Sequence, residues 1–498
     1  MDILLIFPPT SLSEDKGPKV LGRRGGNMAP LGLASVAGYL RHKGFEVAIL
    51  DCPATGRSID EAVSDSLAQK PRAIGISATS YVYPAAGELA TRLRLASPDT
   101  LLILGGPHAN IEHSGPLAEY PALDLVCFDE GELTSCELME AFQRHGFDRA
   151  MLLADQRCLG KIEGLSFRKP DGSVHENPRR PPILDLDTLP LPARDLLPMD
   201  RYLPFPMYYK RKPVVSMVVS RGCPFACTFC DQGSLSSQKV RLRSPKAVVA
   251  EMRQLMDRHG AREISFWDDG LTSVNPWIRE LCSQLIKERL PLIWNCYSAV
   301  RSVDQELLKR MAEAGCWKVY YGVETGNSDL MSFVKIDRKN RNLDQVRQAV
   351  AWTKSAGMEV HLAFMLGLPG EDPAKARNTI DFAIELDPDY AQFSLTTVYP
   401  GTELHQRVKD FGTLLSKDWK DLHGWEAVFL PRGYESQAQL RAMLKKAYAS
   451  FFLRPGYILK KLGSLRSWGD VRRHYHGFRI LTDSFLLRRS SQGFNVRG

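Results

Sequence analysis

The chain has 498 residues, room for roughly three domains. Its 44% hydrophobic, 24% charged and 9% aromatic content excludes a fibrous, collagenous or wholly disordered protein. The formal net charge of +8 is all at one end: residues 451–498 carry ten Lys/Arg against Asp470 and Asp483, which leaves the first 450 near neutral. No apolar run reaches the roughly 18 residues that crossing a bilayer requires. Residues 1–10 read as a strand without a basic n-region, so no secretory signal is expected. Ten cysteines are too few for a disulfide scaffold, and a cytoplasmic protein is expected.

Residues 1–145 alternate strand-like and helix-like segments. Short apolar runs at 3–7, 47–50, 73–77, 101–104 and 125–127 read as buried strands. Helical periodicity at 30–43, 58–69, 84–96 and 132–144 separates them. This alternation predicts an α/β fold, a doubly wound, flavodoxin- or Rossmann-like parallel sheet covered on both faces. Ligands of such sheets sit beyond the carboxyl ends of the strands, where residues 78–81, 105–110 and 129–132 fall. Residues 146–212 hold an Asp171-Gly172 hairpin signal and eight prolines between Pro178 and Pro206. They read as a connector that wraps rather than as a domain.

From residue 213 the alternation resumes, with strands near 214–220, 263–267, 292–296, 318–322, 359–366 and 390–395. Ser244-Pro245 suits a helix start, and Gly315 and Gly357 suit helix ends. Six strand–helix repeats over 213–405 predict a partial (β/α)6 barrel with its chemistry at the C-terminal strand ends. Residues 406–498 read as a helical, basic region.

The decisive feature is Cys223-Pro-Phe-Ala-Cys227-Thr-Phe-Cys230, in the loop after the first barrel strand. Three thiolates at this spacing can hold three irons of a [4Fe–4S] cube and leave the fourth iron open. A zinc site completed by a remote cysteine competes, but no partner CxxC or HxxxH lies nearby to close a tetrahedron.

The C-x3-C-x2-C spacing, with Phe229 before the last cysteine and the six-strand repeat behind it, resembles the radical S-adenosylmethionine (SAM) superfamily. The resemblance implies that the open iron chelates the amino and carboxylate groups of SAM, which is then cleaved to a 5′-deoxyadenosyl radical. It places Asp268 and Asp269 at the SAM amino group, Ser298 and Arg301 at its carboxylate, and Glu324 at the ribose or amino group. Gly367 and Pro369, in a G-x-P-G-E stretch ending at Glu371, line the adenine, and Phe229 lies beside the SAM site.

The head resembles the cobalamin-binding domain fused before many such enzymes, through Pro30-Leu-Gly-Leu33, Asp51, Gly105-Gly-Pro-His108 and Asp129-Glu-Gly-Glu132. Thr79, Ser80, Gly105, Gly106, His108, Glu130, Gly131 and Glu132 are the implied cobalamin contacts. His108 has three readings: a cobalt ligand, a contact to the nucleotide tail, or a structural residue. The wider fold uses Asp-x-His-x-x-Gly, whose His binds cobalt from below. Here the stretch is Asp51-Cys-Pro53-Ala-Thr-Gly56, and proline has no side chain that ligates a metal.

Together these resemblances, covering roughly residues 1–405, imply a cobalamin-dependent radical SAM enzyme that methylates an unactivated carbon. The same cofactors used for oxidative cyclisation or rearrangement, as in anaerobic magnesium-protoporphyrin ester cyclases, and a non-catalytic cobalamin-binding protein are the alternatives. Tyr297, Gln392 and Tyr399 are candidate contacts for a small-molecule or natural-product substrate. An external electron donor of the flavodoxin or ferredoxin type is implied. The basic C-terminus reads as a helical cap on the barrel, or as a surface for an anionic membrane or an acidic substrate. No nucleic-acid recognition module is visible, so nucleic acid is not an expected partner.

Overall fold

The computed structural model describes residues 1–10, 26–231, 238–334 and 342–482. The chain divides between Leu203 and Pro204 into two compact units.

In the first unit, β1 (Ile3–Phe7), β2 (Val47–Asp51), β3 (Ala73–Ser77), β4 (Leu101–Gly105) and β5 (Leu125–Cys127) are parallel, in the order β2-β1-β3-β4-β5. The connecting helices are α1 (Leu31–His42), α2 (Ile59–Gln69), α3 (Tyr83–Ala96) and α4 (Gly131–Arg144). Helix α1 packs beside α4 and α2 beside α3, so a pair covers each face of the sheet. That is why the strands are apolar from end to end. Ser58 and Glu61 form a reciprocal capping box at the start of α2.

Strand β6 (Leu165–Arg168) continues this sheet antiparallel to β5, and β7 (Val174–Glu176) pairs antiparallel to β6, the two joined through Gly172 at φ 84°. The hairpin signal at Asp171-Gly172 is therefore real. The reading of 146–212 as a connector outside both domains is corrected, because residues up to Leu203 belong to the first unit. Leu165 and Phe167 bury against its core, and pairing with β6 covers an edge that β5 would otherwise expose.

The second unit has six parallel strands: β8 (Val214–Met217), β9 (Glu263–Phe266), β10 (Ile293–Ser298), β11 (Cys316–Glu324), β12 (Glu359–Leu366) and β13 (Tyr390–Leu395). They pair strictly in chain order. Helices α5 (Pro245–His259), α6 (Asn275–Glu288), α7 (Gln305–Glu313), α8 (Leu343–Ser355) and α9 (Pro373–Leu386) alternate with them. Sequential order and parallel pairing make the expected partial barrel. The Ser244 hydroxyl accepts from the Ala247 amide at 3.2 Å to start α5, and Gly315 and Gly357 follow α7 and α8 at positive φ.

The N-terminal end of this barrel is sealed by the chain entering it. The Lys210 and Arg211 amides donate to Glu263 Oε2 at 2.7 and 2.6 Å. Glu263 Oε1 accepts from Asn295 Nδ2 at 2.9 Å and Trp317 Nε1 at 3.0 Å. Lys318 Nζ donates to the Met207 carbonyl at 2.7 Å and pairs with Glu359 at 3.2 Å. Glu263 and Lys318 have no exposed surface, and burial pushes the lysine down to about 8. Tyr208 stacks on Tyr320 and His361, with ring centroids 5.5 and 5.6 Å apart.

After β13 come α10 (Gln437–Phe452), α11 (Pro455–Gly463) and α12 (Trp468–Leu481). The wholly helical reading of 406–498 misses one element, the antiparallel pair Gly412–Leu414 and Phe429–Pro431. Among the described residues no helix is long and apolar enough to cross a membrane.

Replacing Glu263 with Ala strands four donors at once, two of them, on Asn295 and Trp317, buried. Urea unfolding should show a loss of about 3–5 kcal/mol, with iron binding at the opposite end of the barrel retained by the folded fraction.

Candidate active site

Parallel pairing brings β8 and β9 to a common end, Ser216 and Met217 facing Ser265 and Phe266. The residues just beyond then meet. Asp268 Oδ1 accepts from the Val219 amide at 2.8 Å, the Ser220 amide at 2.6 Å and the Ser220 hydroxyl. Asp268 thus anchors the entry to the cysteine loop, a role its motif did not reveal. Its Oδ2 is buried and takes no hydrogen bond among the described residues, which leaves one acceptor for a ligand cation. Burial is the main reason its carboxyl is pushed up to about 7. Asp269 reaches solvent, yet the protein around it holds its carboxyl up at about 6.

The far side of the loop is held by Thr228. Its amide donates to the Val334 carbonyl at 3.2 Å, its hydroxyl to the Phe333 carbonyl at 3.0 Å, and its carbonyl accepts from the Leu404 amide at 2.9 Å. Phe229 packs among Val334, Met365, Leu368, Val398 and Leu404, which makes it an anchor of the loop. Between these anchors, Cys223, Cys227 and Cys230 stay half-exposed. Of the seven other cysteines only Cys158 does, and the rest are buried. Among the described residues no three His, Cys, Asp or Glu side chains gather as they would around a single metal ion. Three irons of a cube, taking one thiolate each, require wider spacing than one tetrahedral zinc.

The other expected SAM residues lie at successive strand ends on the same mouth. Ser298, closing β10, shares a hydrogen bond with Thr272. The Arg301 guanidinium stands 4.1 Å over the ring of Phe225, inside the cysteine loop. Glu324 ends β11 at φ 71°, next to an irregularity in the β11–β12 register, a strained backbone for a non-glycine residue. After β12, Gly367 turns at φ 77°, and its amide donates to the carboxyl of Glu371, which also accepts from the Tyr434 hydroxyl at 2.7 Å. Glu371 is fully buried and pushed up to about 7, mainly by burial. It locks the loop that carries the buried Pro369.

Of the substrate candidates, Tyr297 stacks on Tyr320 at 4.7 Å, and Gln392 Oε1 accepts from the Tyr208 hydroxyl at 2.9 Å. Tyr399 donates to the Leu422 carbonyl at 3.1 Å and lies near enough to Cys230 and Asp231 to feel their charge.

In the first unit the cobalamin candidates sit at the carboxyl ends of β3, β4 and β5. Thr79 precedes the turn Ser80–Val82, and Gly106, at φ 89°, has no room for a Cβ, which would lie 2.6 Å from Ser77 Oγ. The Ala78 amide donates to the Gly105 carbonyl at 3.0 Å and the His108 amide to the Ala78 carbonyl at 2.9 Å, zipping the two loops together. His108 has no exposed surface. Its Nδ1 lies 3.3 Å from the Ser80 hydroxyl, its ring stacks 3.8 Å from Tyr83, and burial pushes it down to about 4. His108 is packed into the unit, in surroundings that suit its structural reading. Glu130 Oε2 accepts from the Ile183 amide at 3.1 Å, Gly131 opens α4, and Glu132 is buried. Asp51 accepts from the Ala54 amide at 3.1 Å and the Tyr202 hydroxyl at 2.7 Å, so it caps the turn Cys52–Thr55 that contains Pro53. These small residues and strand-end amides fit a large polar cofactor, and no imidazole stands where the wider fold has one.

The radical SAM superfamily model matches residues 217–383 and the B12 binding domain model residues 17–139. An uncharacterized methyltransferase of Pyrococcus horikoshii is 32% identical over 96% of both chains. The chain belongs to the cobalamin-dependent radical SAM methyltransferase family. Its cofactors are therefore a [4Fe–4S] cluster, SAM and cobalamin. An anaerobic magnesium-protoporphyrin IX monomethyl ester cyclase of Rubrivivax gelatinosus is 30% identical over 77% of this chain and 67% of its own. The radical SAM methyltransferase TsrM of Kitasatospora setae, solved with cobalamin and a [4Fe–4S] cluster, shares the fold. It has a TM-score of 0.69 at 18% identity, over 97% of this chain and 99% of that one.

Glu371 gives this radical SAM barrel a pH dependence of defined sign. Folded, it keeps its proton up to about 7, whereas an unfolded Glu loses it near about 4.3. The extra stability is full below the unfolded value and is lost as pH rises through about 7. Between about pH 5 and about pH 8, Glu371→Gln should lose less stability than the parent, by on the order of 1–3 kcal/mol in urea titrations.

Proposed function

We propose that this enzyme transfers a methyl group to an unactivated carbon of a small organic substrate. The observation that carries this is the end-to-end match with a methyltransferase relative, set against a cyclase relative matched over a smaller part of both chains. When bound, the cluster and SAM supply a radical able to take a hydrogen atom from carbon, and cobalamin supplies the methyl group.

The chain's own residues prepare that chemistry. The thiolates of Cys223, Cys227 and Cys230 would hold three irons. Asp268 Oδ2 remains an acceptor for the SAM ammonium, and Arg301, kept beside the cysteine loop by Phe225, offers a cation to the SAM carboxylate. Asp269, Ser298 and Glu324 complete the polar rim, while Gly367 and Pro369 offer backbone to the adenine. In the first unit, Thr79, Ser80, Gly105, Gly106, His108, Glu130, Gly131 and Glu132 mark the loops assigned to cobalamin. Tyr208, Tyr320 and His361 fill the barrel interior and keep water from rising into it from below. Tyr297, Gln392 and Tyr399 are assigned to the substrate, and a flavodoxin- or ferredoxin-type protein to the electron.

Ring closure with the same cofactors is the second reading, favoured by the 30% identity to the Rubrivivax cyclase. Anaerobic reconstitution should give about four irons and one cobalt per chain. A Cys223→Ala, Cys227→Ala, Cys230→Ala variant should lose the iron and all SAM cleavage while keeping the cobalt. Methyl transfer requires a product heavier by one CH2 for each methyl added, with S-adenosylhomocysteine formed alongside. A product that has lost hydrogen without gaining carbon would decide for ring closure.

A further inference from the structure

Helices α11 and α12 divide their side chains into two unlike faces. The inner faces grip the N-terminal end of the barrel. The Tyr457 hydroxyl donates to the Asp389 carbonyl at 2.9 Å, Lys461 Nζ lies 4.1 Å over the Tyr390 ring, and Arg473 donates to the Tyr209 carbonyl at 2.9 Å. The outer faces are apolar. On α11, Ile458, Leu459 and Leu462 are 43%, 68% and 59% exposed. On α12, Trp468, Val471, Tyr475 and Phe478 are 87%, 37%, 55% and 54% exposed, at intervals of three and four residues that place them on one face. Eight of the fifteen large apolar side chains exposed among the described residues fall between Leu453 and Phe478. A concentration of this kind marks a surface that something covers.

Charge identifies the occupant. Arg466 and Arg472 are exposed around this stripe, as is Lys460, which pairs with Asp387 at 3.2 Å. Asp470, the one acid within 451–482, is half-buried and turned to Ser467 and the Arg466 amide. A second copy of the chain would set this basic patch against itself in a two-fold contact, at a cost in like-charge repulsion. An anionic lipid surface has no such conflict. Its headgroups accept the guanidinium and ammonium groups while its acyl boundary takes Trp, Leu and Phe.

We propose that α11 and α12 form a peripheral docking face for an anionic bilayer, with Leu459, Leu462, Trp468 and Phe478 entering the boundary between headgroups and acyl chains. The face lies at the end of the barrel opposite the cysteine loop, and the proposal holds whichever carbon the enzyme modifies.

The test is flotation of the reconstituted full-length enzyme with vesicles of equal parts phosphatidylcholine and phosphatidylglycerol. The expected result is binding that falls about tenfold or more on phosphatidylcholine alone and weakens with added salt. A Leu459→Ser, Trp468→Ser, Phe478→Ser variant should stay in the aqueous phase, with its melting temperature and SAM cleavage in solution unchanged. Arg472→Glu should weaken binding to the anionic vesicles alone. Failure of the parent enzyme to float, or equal flotation of the triple serine variant, would overturn the proposal. So would a concentration-dependent dimer in sedimentation that the serine variant abolishes, since the face would then belong to a second copy.

Discussion

One buried carboxylate, Asp268, fixes where the cysteine loop begins. With little water around it, each of its three hydrogen bonds to Val219 and Ser220 is strong and directional. The loop then departs from a defined point at the end of β8 and returns through Thr228, Phe229 and Leu404. Its middle bears half-exposed thiols, reachable by iron and yet held by structure on both sides. The same Asp268 keeps a second oxygen unsatisfied. A group that both builds the loop and faces its ligand couples folding of the site to recognition.

The rest of the barrel divides its two ends between stability and chemistry. At the N-terminal end, ionised and polar groups are buried but paired: Glu263 by four donors, Lys318 by a carbonyl and a carboxylate. Such groups are costly to bury singly and tolerable only when satisfied. At the C-terminal end, polar groups are left half-satisfied or strained, as Asp268 and Glu324 show. Parallel strands force this asymmetry, because every crossover returns the chain to the same end and delivers each strand's last residues to one mouth.

The first unit follows the same logic with other parts. Hydrogen bonds between the β3 and β4 loops, and the His108–Tyr83 stack beneath them, hold a rim of small residues in place. Pro53 sits in a turn capped by Asp51, and Asp51 is claimed by Tyr202. The position that carries an imidazole in the wider cobalamin-binding fold has here become a closed piece of structure. The turn Cys52–Thr55 holds no imidazole, and His108 is buried just beyond β4.

Strand and helix positions, the doubly wound sheet and the partial barrel, the three cysteines and the strand-end motifs were legible in the residues, because each rests on local periodicity or on spacing within a few turns of chain. Even the absent imidazole could be read at Pro53. What could not be read are partnerships across long stretches of chain: Glu371 with Tyr434, 63 residues apart, Tyr202 with Asp51, 151 apart, and Tyr208 with Gln392, 184 apart. The membership of β6 and β7 in the first sheet, the anchoring role of Asp268 and the burial of His108 belong to the same class. Local sequence determines which segments form and which chemistry they bear. Whether a polar side chain faces a ligand, a neighbour or the core is settled only when distant elements pack, since burial and pairing are properties of the assembled surroundings rather than of the residue.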